Sequence, residues 1–151
     1  MNKVAIITGA GTGVGKATAV KLSDAGFSVI LIGRRKNKLD ETKTACNNEA
    51  IVIPMDVSKE TEVKKCFELV EKKFSHLDLL FNNAGTFLSS KTIDKINFNE
   101  WKEVIEVNLN GMFLFSKYAF SLMKNQSPIG GRIINNGSVS AFAPRPGSIA
   151  Y

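Results

Sequence analysis

Five short apolar runs, Val4–Ile7, Val29–Ile32, Ile51–Ile53, Leu77–Phe81 and Ile133-Ile134, alternate along the chain with stretches whose apolar residues recur every three or four positions. Runs rich in β-branched residues and apolar on both sides suit strands that are covered from above and below. The intervening pattern is helical. It is clearest at Val63, Cys66, Phe67, Val70 and Phe74, and again at Trp101, Val104, Ile105, Asn108, Met112, Phe115, Ala119 and Met123. Ser58 is placed to cap the first of these helices, and Asn97 with Glu100 has capping-box spacing for the second. Strands that alternate with helices close through right-handed crossovers, so the expected fold is α/β: a doubly wound parallel sheet in the order 3-2-1-4-5. The Gly/Pro-rich stretches, 128–131 and 144–147, fall between elements, so residues 1–151 read as one domain.

Composition narrows the function classes. With 44% apolar and 23% charged residues the chain has the balance of a globular protein. No run approaches the ~20 apolar residues of a membrane helix. The first residues lead straight into a strand-like run without the sections of a secretory signal, so a cytoplasmic protein is expected. Cys46 and Cys66 are too far apart for a CxxC pair or a zinc ligand pair and read as small reduced core residues. The net charge of +6 comes from lysines scattered over helical stretches, which argues against nucleic acid as a partner. His76 stands alone before the fourth strand and reads as a surface residue. No carboxylate/His cluster suggests a metal.

Thr8-Gly9-Ala10-Gly11-Thr12-Gly13-Val14-Gly15 directly follows the first strand and opens the first helix. A chain that turns tightly there, and presents backbone N–H groups to a pyrophosphate, has no room for side chains. Gly9, Gly11, Thr12, Gly13, Val14 and Gly15 are therefore candidate dinucleotide-binding residues of a Rossmann-type fold. An ATP or GTP P-loop requires G-x-x-x-x-G-K-[ST], and Ala10 and Ala17 occupy positions where that motif has glycine and a hydroxyl residue.

The T-G-x-x-x-G-x-G spacing of Thr8, Gly9, Gly13 and Gly15 resembles the short-chain dehydrogenase/reductase family. Further matches follow in order. Asn82-Asn83-Ala84-Gly85 is similar to the N-N-A-G that closes the family's fourth strand, which implies that Ala84 and Gly85 lie beside the cofactor ribose and makes Asn83 a further cofactor-binding candidate; a strand ending in a turn is the alternative, which covers Asn82 better than the Ala84-Gly85 pair. Asp56-Val57 resembles the family's adenine-contacting pair, although an Asp beside Ser58 is equally a helix-start residue. Asn108, in Val107-Asn108-Leu109-Asn110-Gly111, matches the family's catalytic asparagine, which holds a proton-relaying water; as an amide on an apolar stripe it also reads as a core group paired with backbone. Ser138 and Tyr151 keep the separation between the family's catalytic serine and tyrosine.

The resemblance implies an oxidoreductase that moves hydride between a nicotinamide cofactor and an alcohol or ketone, with Tyr151 as acid/base, Ser138 bound to the substrate oxygen and Asn108 linking Tyr151 to solvent. It also implies a homo-oligomer in the complete protein. A free tyrosine titrates near ~10, and the family lowers that value with a lysine one helical turn on. The sequence stops at Tyr151, so it is expected to be an N-terminal piece that lacks this lysine and the last strands, and to be inactive alone. A non-catalytic dinucleotide-binding fragment is the alternative. Cofactor choice rests on the end of the second strand, where an acidic residue would hold the ribose 2′-hydroxyl of NAD. Gly33 stands there, followed by Arg34 and Arg35, whose guanidinium groups suit the 2′-phosphate of NADP.

Overall fold

The computed structural model describes residues 2–151; Met1, part of the start read above, lies outside them. Strand β1 (Val4–Thr8) is fully buried along its length and lies between β2 (Ser28–Gly33) and β4 (Leu79–Asn82). Outside them are β3 (Ala50–Pro54) and β5 (Arg132–Asn135), which gives the expected order 3-2-1-4-5, and all four pairings are parallel. Parallel strands require crossovers, which are supplied by α1 (Gly13–Asp24), α2 (Lys36–Thr44), α3 (Glu60–Phe74) and the helical stretch running from α4 (Phe98–Ile105) into α5 (Met112–Asn125). None of these helices is long and apolar enough to cross a membrane.

Because successive strand side chains alternate between faces, the sheet separates two cores. Val4, Ile6, Ile30 and Ile32 face α3 and α5, where they meet Val63, Phe67, Val70, Phe115 and Ala119. Ala5, Ile7, Val29 and Leu31 face the other way, toward Ala19 and Leu39. Glu60 bridges α3 and α5 on the outside, accepting from Lys117 Nζ at 2.9 Å and Tyr118 Oη at 3.1 Å.

Local chemistry moved several expected boundaries. The Asn97–Glu100 capping box is present in both directions. Ser58, by contrast, does not cap α3: Lys59 holds that position, and the Ser58 hydroxyl turns back to the Asp56 carboxylate at 2.8 Å, a stronger charge-assisted acceptor. Leu77 is buried but precedes β4, because Gln126 takes its backbone groups instead, donating to its oxygen at 3.1 Å and accepting from its nitrogen at 2.8 Å. His76 is buried, not on the surface. Its ring nitrogens lie 2.7 Å from the Phe74 oxygen and 3.2 Å from the Asn2 oxygen, with Asp78 Oδ2 at 3.3 Å, so polar partners compensate its burial. Cys66 is a buried free thiol, pushed up to about 12 by that burial; Cys46 is only partly buried.

The second helical stretch is not one regular helix. Between α4 and α5 the chain widens into a π-turn over Glu106–Gly111. Val104, Phe115, Ala119 and Met123 face the core as the spacing predicts, whereas Trp101 is 38% exposed and Asn108 half-buried. A π-turn adds a residue to the helical repeat, so the stripe before it is rotated relative to the stripe after it.

Candidate functional site

All five strands run the same way, so their carboxyl ends gather the loops that follow them at one edge of the sheet, where α/β folds bind ligands. A cavity of about 430 Å³ opens there. It is lined from the loop after β1 by Gly9, Gly11 and Thr12, from the end of β2 by Gly33, Arg34 and Arg35, from the loop after β3 by Met55, Asp56 and Val57, and from the loop after β4 by Asn83, Ala84 and Gly85. Lys38 and Leu39 of α2 and Val107 of the π-turn complete the wall. Ten of the sequence-derived candidates therefore meet in one cavity, while Gly13, Val14 and Gly15 form the start of α1 beside it.

Thr8 ties the first and second motifs together. Its hydroxyl accepts from the backbone nitrogens of Asn83, at 2.8 Å, and Ala84, at 2.9 Å, and Asn83 Nδ2 donates back to the Thr8 oxygen at 3.0 Å. Two glycines make this closeness possible. Gly9 has φ +66, and a Cβ there would lie 3.0 Å from the Ala84 Cα; a Cβ on buried Gly15 would overlap the Gly9 carbonyl oxygen. Gly13 differs. Its φ of +55 demands glycine, yet nothing lies within 4 Å of where its Cβ would be, so open space faces the helix start.

The cavity's polar groups fit a dinucleotide. Thr12 occupies the N-cap of α1 but makes no side-chain cap bond, leaving the first-turn N–H groups unclaimed by a side chain and available to an anion. Its hydroxyl instead accepts from Arg35 Nη2 at 3.4 Å. Arg34 and Arg35 precede α2, which begins at Lys36, and Arg35 is its N-cap. Both are exposed. Lys38, which the motifs did not single out, reaches the wall because it lies one turn into α2, where its Cβ would meet a side chain at Gly11 at 3.0 Å. A period-based reading could have found it as the residue three positions after Arg35.

Asp56 lines the cavity and also organises the turn into α3 through Ser58. Burial pushes its carboxyl up, but the Ser58 backbone N–H at 3.0 Å and hydroxyl, with Arg34 and Lys59 nearby, outweigh that and hold it below the ordinary carboxylate range.

The three catalytic candidates are not drawn together. The Asn108 amide grips one residue of the loop after β4, its Oδ1 accepting from Thr86 N at 2.8 Å and its Nδ2 donating to Thr86 O at 2.9 Å. Each amide atom keeps one further bonding position, enough to hold a water. The π-turn aims Asn108 at that loop. Ser138 caps the short 3-10 turn Val139–Ala141, its Oγ accepting from Ser140 N at 3.1 Å. Tyr151 is 46% exposed and lines a second cavity of about 210 Å³ with Phe87, Leu88, Ile96, Pro146 and Arg145, whose guanidinium lies 5.3 Å from its ring centroid. Among the described residues no hydrogen bond joins any two of Asn108, Ser138 and Tyr151.

The chain is similar to known proteins along almost its whole length. An uncharacterized oxidoreductase of Staphylococcus aureus strain MRSA252 is 37% identical over 151 residues, covering 99% of this chain and 64% of its own length. Among solved structures, a short chain dehydrogenase from Bacillus anthracis superposes with TM-score 0.91 at 32% identity, over 98% of this chain and 62% of that one. A 3-ketoacyl-(acyl-carrier-protein) reductase from Brucella melitensis, complexed with NADH, gives 0.93 at 29% identity over 99% and 62%. The chain thus spans less than two thirds of the length of these relatives. With residues 3–151 matched to the family described as short chain dehydrogenase, the chain belongs to that family.

Proposed function

We propose that residues 1–151 form the dinucleotide-binding domain of an NADP-preferring oxidoreductase that transfers hydride between NADP(H) and an alcohol or carbonyl substrate. The observation that carries the reading is the cavity in which an uncapped helix start, two exposed arginines and the Asn83–Gly85 loop converge. In this reading Gly9, Gly11, Thr12, Gly13, Val14 and Gly15 seat the pyrophosphate, Asp56 and Val57 the adenine, and Asn83, Ala84 and Gly85 a ribose. Arg34 and Arg35 read the 2′-phosphate. Neither has a carboxylate partner among the described ion pairs, and no acidic residue at the end of β2 would repel that phosphate. The Brucella reductase was solved with NADH, so membership of the family does not by itself fix the choice.

When bound, the nicotinamide supplies or accepts the hydride. Tyr151 moves the proton at the substrate oxygen, Ser138 hydrogen-bonds that oxygen, and Asn108 holds the Thr86 loop in place and carries a water that connects Tyr151 to solvent. The trio needs Tyr151 and Ser138 to converge, and a cation to favour the tyrosine anion. The family resemblance gives that role to a lysine one helical turn beyond the tyrosine, and we expect turnover to depend on it. Leu109, Phe113 and Phe120 project from one face of the π-turn and α5 and are mostly exposed, which supports a second copy of the chain as a partner. The free cysteines support the cytoplasm as its location.

The test compares NADPH oxidation with a panel of aldehydes and ketones for the 151-residue chain and for a version extended by a family relative's remaining segment, which begins with x-x-x-Lys. Activity confined to the extended protein and abolished by Tyr151→Phe is expected. Turnover by the short chain, or an indifferent Tyr151→Phe, would reassign the acid/base role.

A further inference from the structure

The chain contains two Asn-Gly dipeptides, Asn110-Gly111 and Asn136-Gly137, in opposite structural settings. Asparagine is thermolabile, and a following glycine exposes it most because no side chain shields the next backbone nitrogen. Gly111 is buried inside the helical stretch, its N–H engaged by helical bonding, and a Cβ there would meet Val57 Cγ2 at 2.9 Å. Asn136 and Gly137 lie in the irregular segment between β5 and the 3-10 turn, and both are exposed. The Gly137 N–H donates to no group among the described residues, and nothing lies within 4 Å of where a Gly137 Cβ would be.

We propose that Asn136 is a site of spontaneous deamidation, a structural clock placed beside the dinucleotide cavity. The Gly137 nitrogen loses its proton to water and attacks Asn136 Cγ. A Cγ–N bond forms, the Cγ–Nδ2 bond breaks, and ammonia leaves with the proton it needs. Water then opens the resulting succinimide at one of its two carbonyls, giving aspartate or isoaspartate. Net, one water is consumed and one ammonia released, with no change of oxidation state. Asn110 follows more slowly, because moving the Gly111 nitrogen out of its helical setting would break the close approach to Val57.

Position gives the modification its consequence. Asn136 Nδ2 donates to Asn83 Oδ1 at 3.0 Å, while Asn83 Nδ2 holds the Thr8 and Gly9 carbonyl oxygens at 3.0 and 3.4 Å. The side-chain amide of Asn136 is therefore the last link of a polar chain that ends at the glycine loop. Deamidation replaces this donor with a carboxylate facing an acceptor oxygen. Isoaspartate also adds one carbon to the backbone two residues before Ser138.

The purified chain is incubated at mildly alkaline pH and 37 °C, with peptide mass mapping, isoaspartyl methyltransferase labelling and ammonia release followed in parallel. Folded chain should convert at Asn136 at least about tenfold faster than at Asn110. In urea, where both glycines are free, the two rates should draw level. Gly137→Ala, which the open space accommodates, should slow conversion at 136 by roughly tenfold with an unchanged fold by circular dichroism. Equal rates at the two sites in the folded chain, or an Asn136 that stays amidated while Asn110 converts, would overturn the proposal. So would a 136 rate that Gly137→Ala leaves unaltered.

Discussion

The two halves of the functional edge are built to different standards. On the nucleotide side, β1 is buried at every position, and Thr8, Asn83 and Gly15 lock the loops after β1 and β4 together through short bonds and direct backbone contact. On the carbonyl side, β5 is largely exposed, Ile134 is 46% exposed, and the proposed acid/base and its serine occupy separate surroundings. The difference follows from which contacts each side needs. The cavity is walled by the loops after β1, β2, β3 and β4, whose strands are consecutive neighbours in this sheet, so it closes once those four pair. The proposed trio depends on Tyr151 being carried by a formed element, and here Tyr151 follows a turn and is 46% exposed.

The comparison is broken most directly at the glycines. Gly15→Ala should cost roughly 3 kcal/mol, because its Cβ has to displace the Gly9 carbonyl, and should abolish dinucleotide binding. Gly13→Ala meets only open space and should cost about 1 kcal/mol, from its left-handed backbone. Chemical denaturation with binding measured alongside checks both. Equal costs would mean that the two loops are not locked in the way described.

Asn108→Ala tests the side chain that holds Thr86, in the loop after β4, from the helical layer. Loss of both bonds to Thr86 should destabilise the fold by roughly 1 to 3 kcal/mol and loosen residues 86–90 to proteolysis. A variant as stable and as protected as the parent would leave Asn108 with no positioning role. Hydrogen exchange sharpens the contrast without mutation. Amides of β1 and β2 should exchange on the order of 100-fold more slowly than those of β5; uniform protection would erase the distinction between the two sides.

The smallest effect is electrostatic. The Asp56 carboxyl is held below its ordinary value in the folded chain, so its contribution to stability is complete above the unfolded value near ~4 and is lost as pH falls through the folded value. The stability gap between parent and Asp56→Asn should therefore narrow as pH drops from about 5 toward about 2. A gap that is independent of pH would remove the charge from the account.

Much of this was legible in the sequence because it is periodic or steric. Strand runs such as Val29–Ile32, the glycine spacing and the Asn97–Glu100 capping box depend on near neighbours, and the structure places them as expected. Features decided by distant partners were not legible. His76 reads as a surface residue until Asn2 of the chain start packs on it, whereas Ser58 reads as a cap even though the carboxylate that takes its hydroxyl, Asp56, is only two residues away. The π-turn leaves no composition signal: Val104, Asn108 and Met112 keep helical spacing, and only the rotation that exposes Trp101 betrays the extra residue. Leu39 and Met55 join the cavity wall through tertiary packing, and the motifs do not single them out.

The central claim, a dinucleotide cradle that selects a 2′-phosphate, is tested by titrating NADPH and NADH against the parent chain and against Arg34→Ala/Arg35→Ala, with nicotinamide fluorescence as the readout. The account predicts that the parent binds NADPH tighter by roughly tenfold or more, and that the double variant loses this ratio while keeping its NADH affinity. Equal affinities in the parent, or equal losses for both cofactors in the variant, would contradict it.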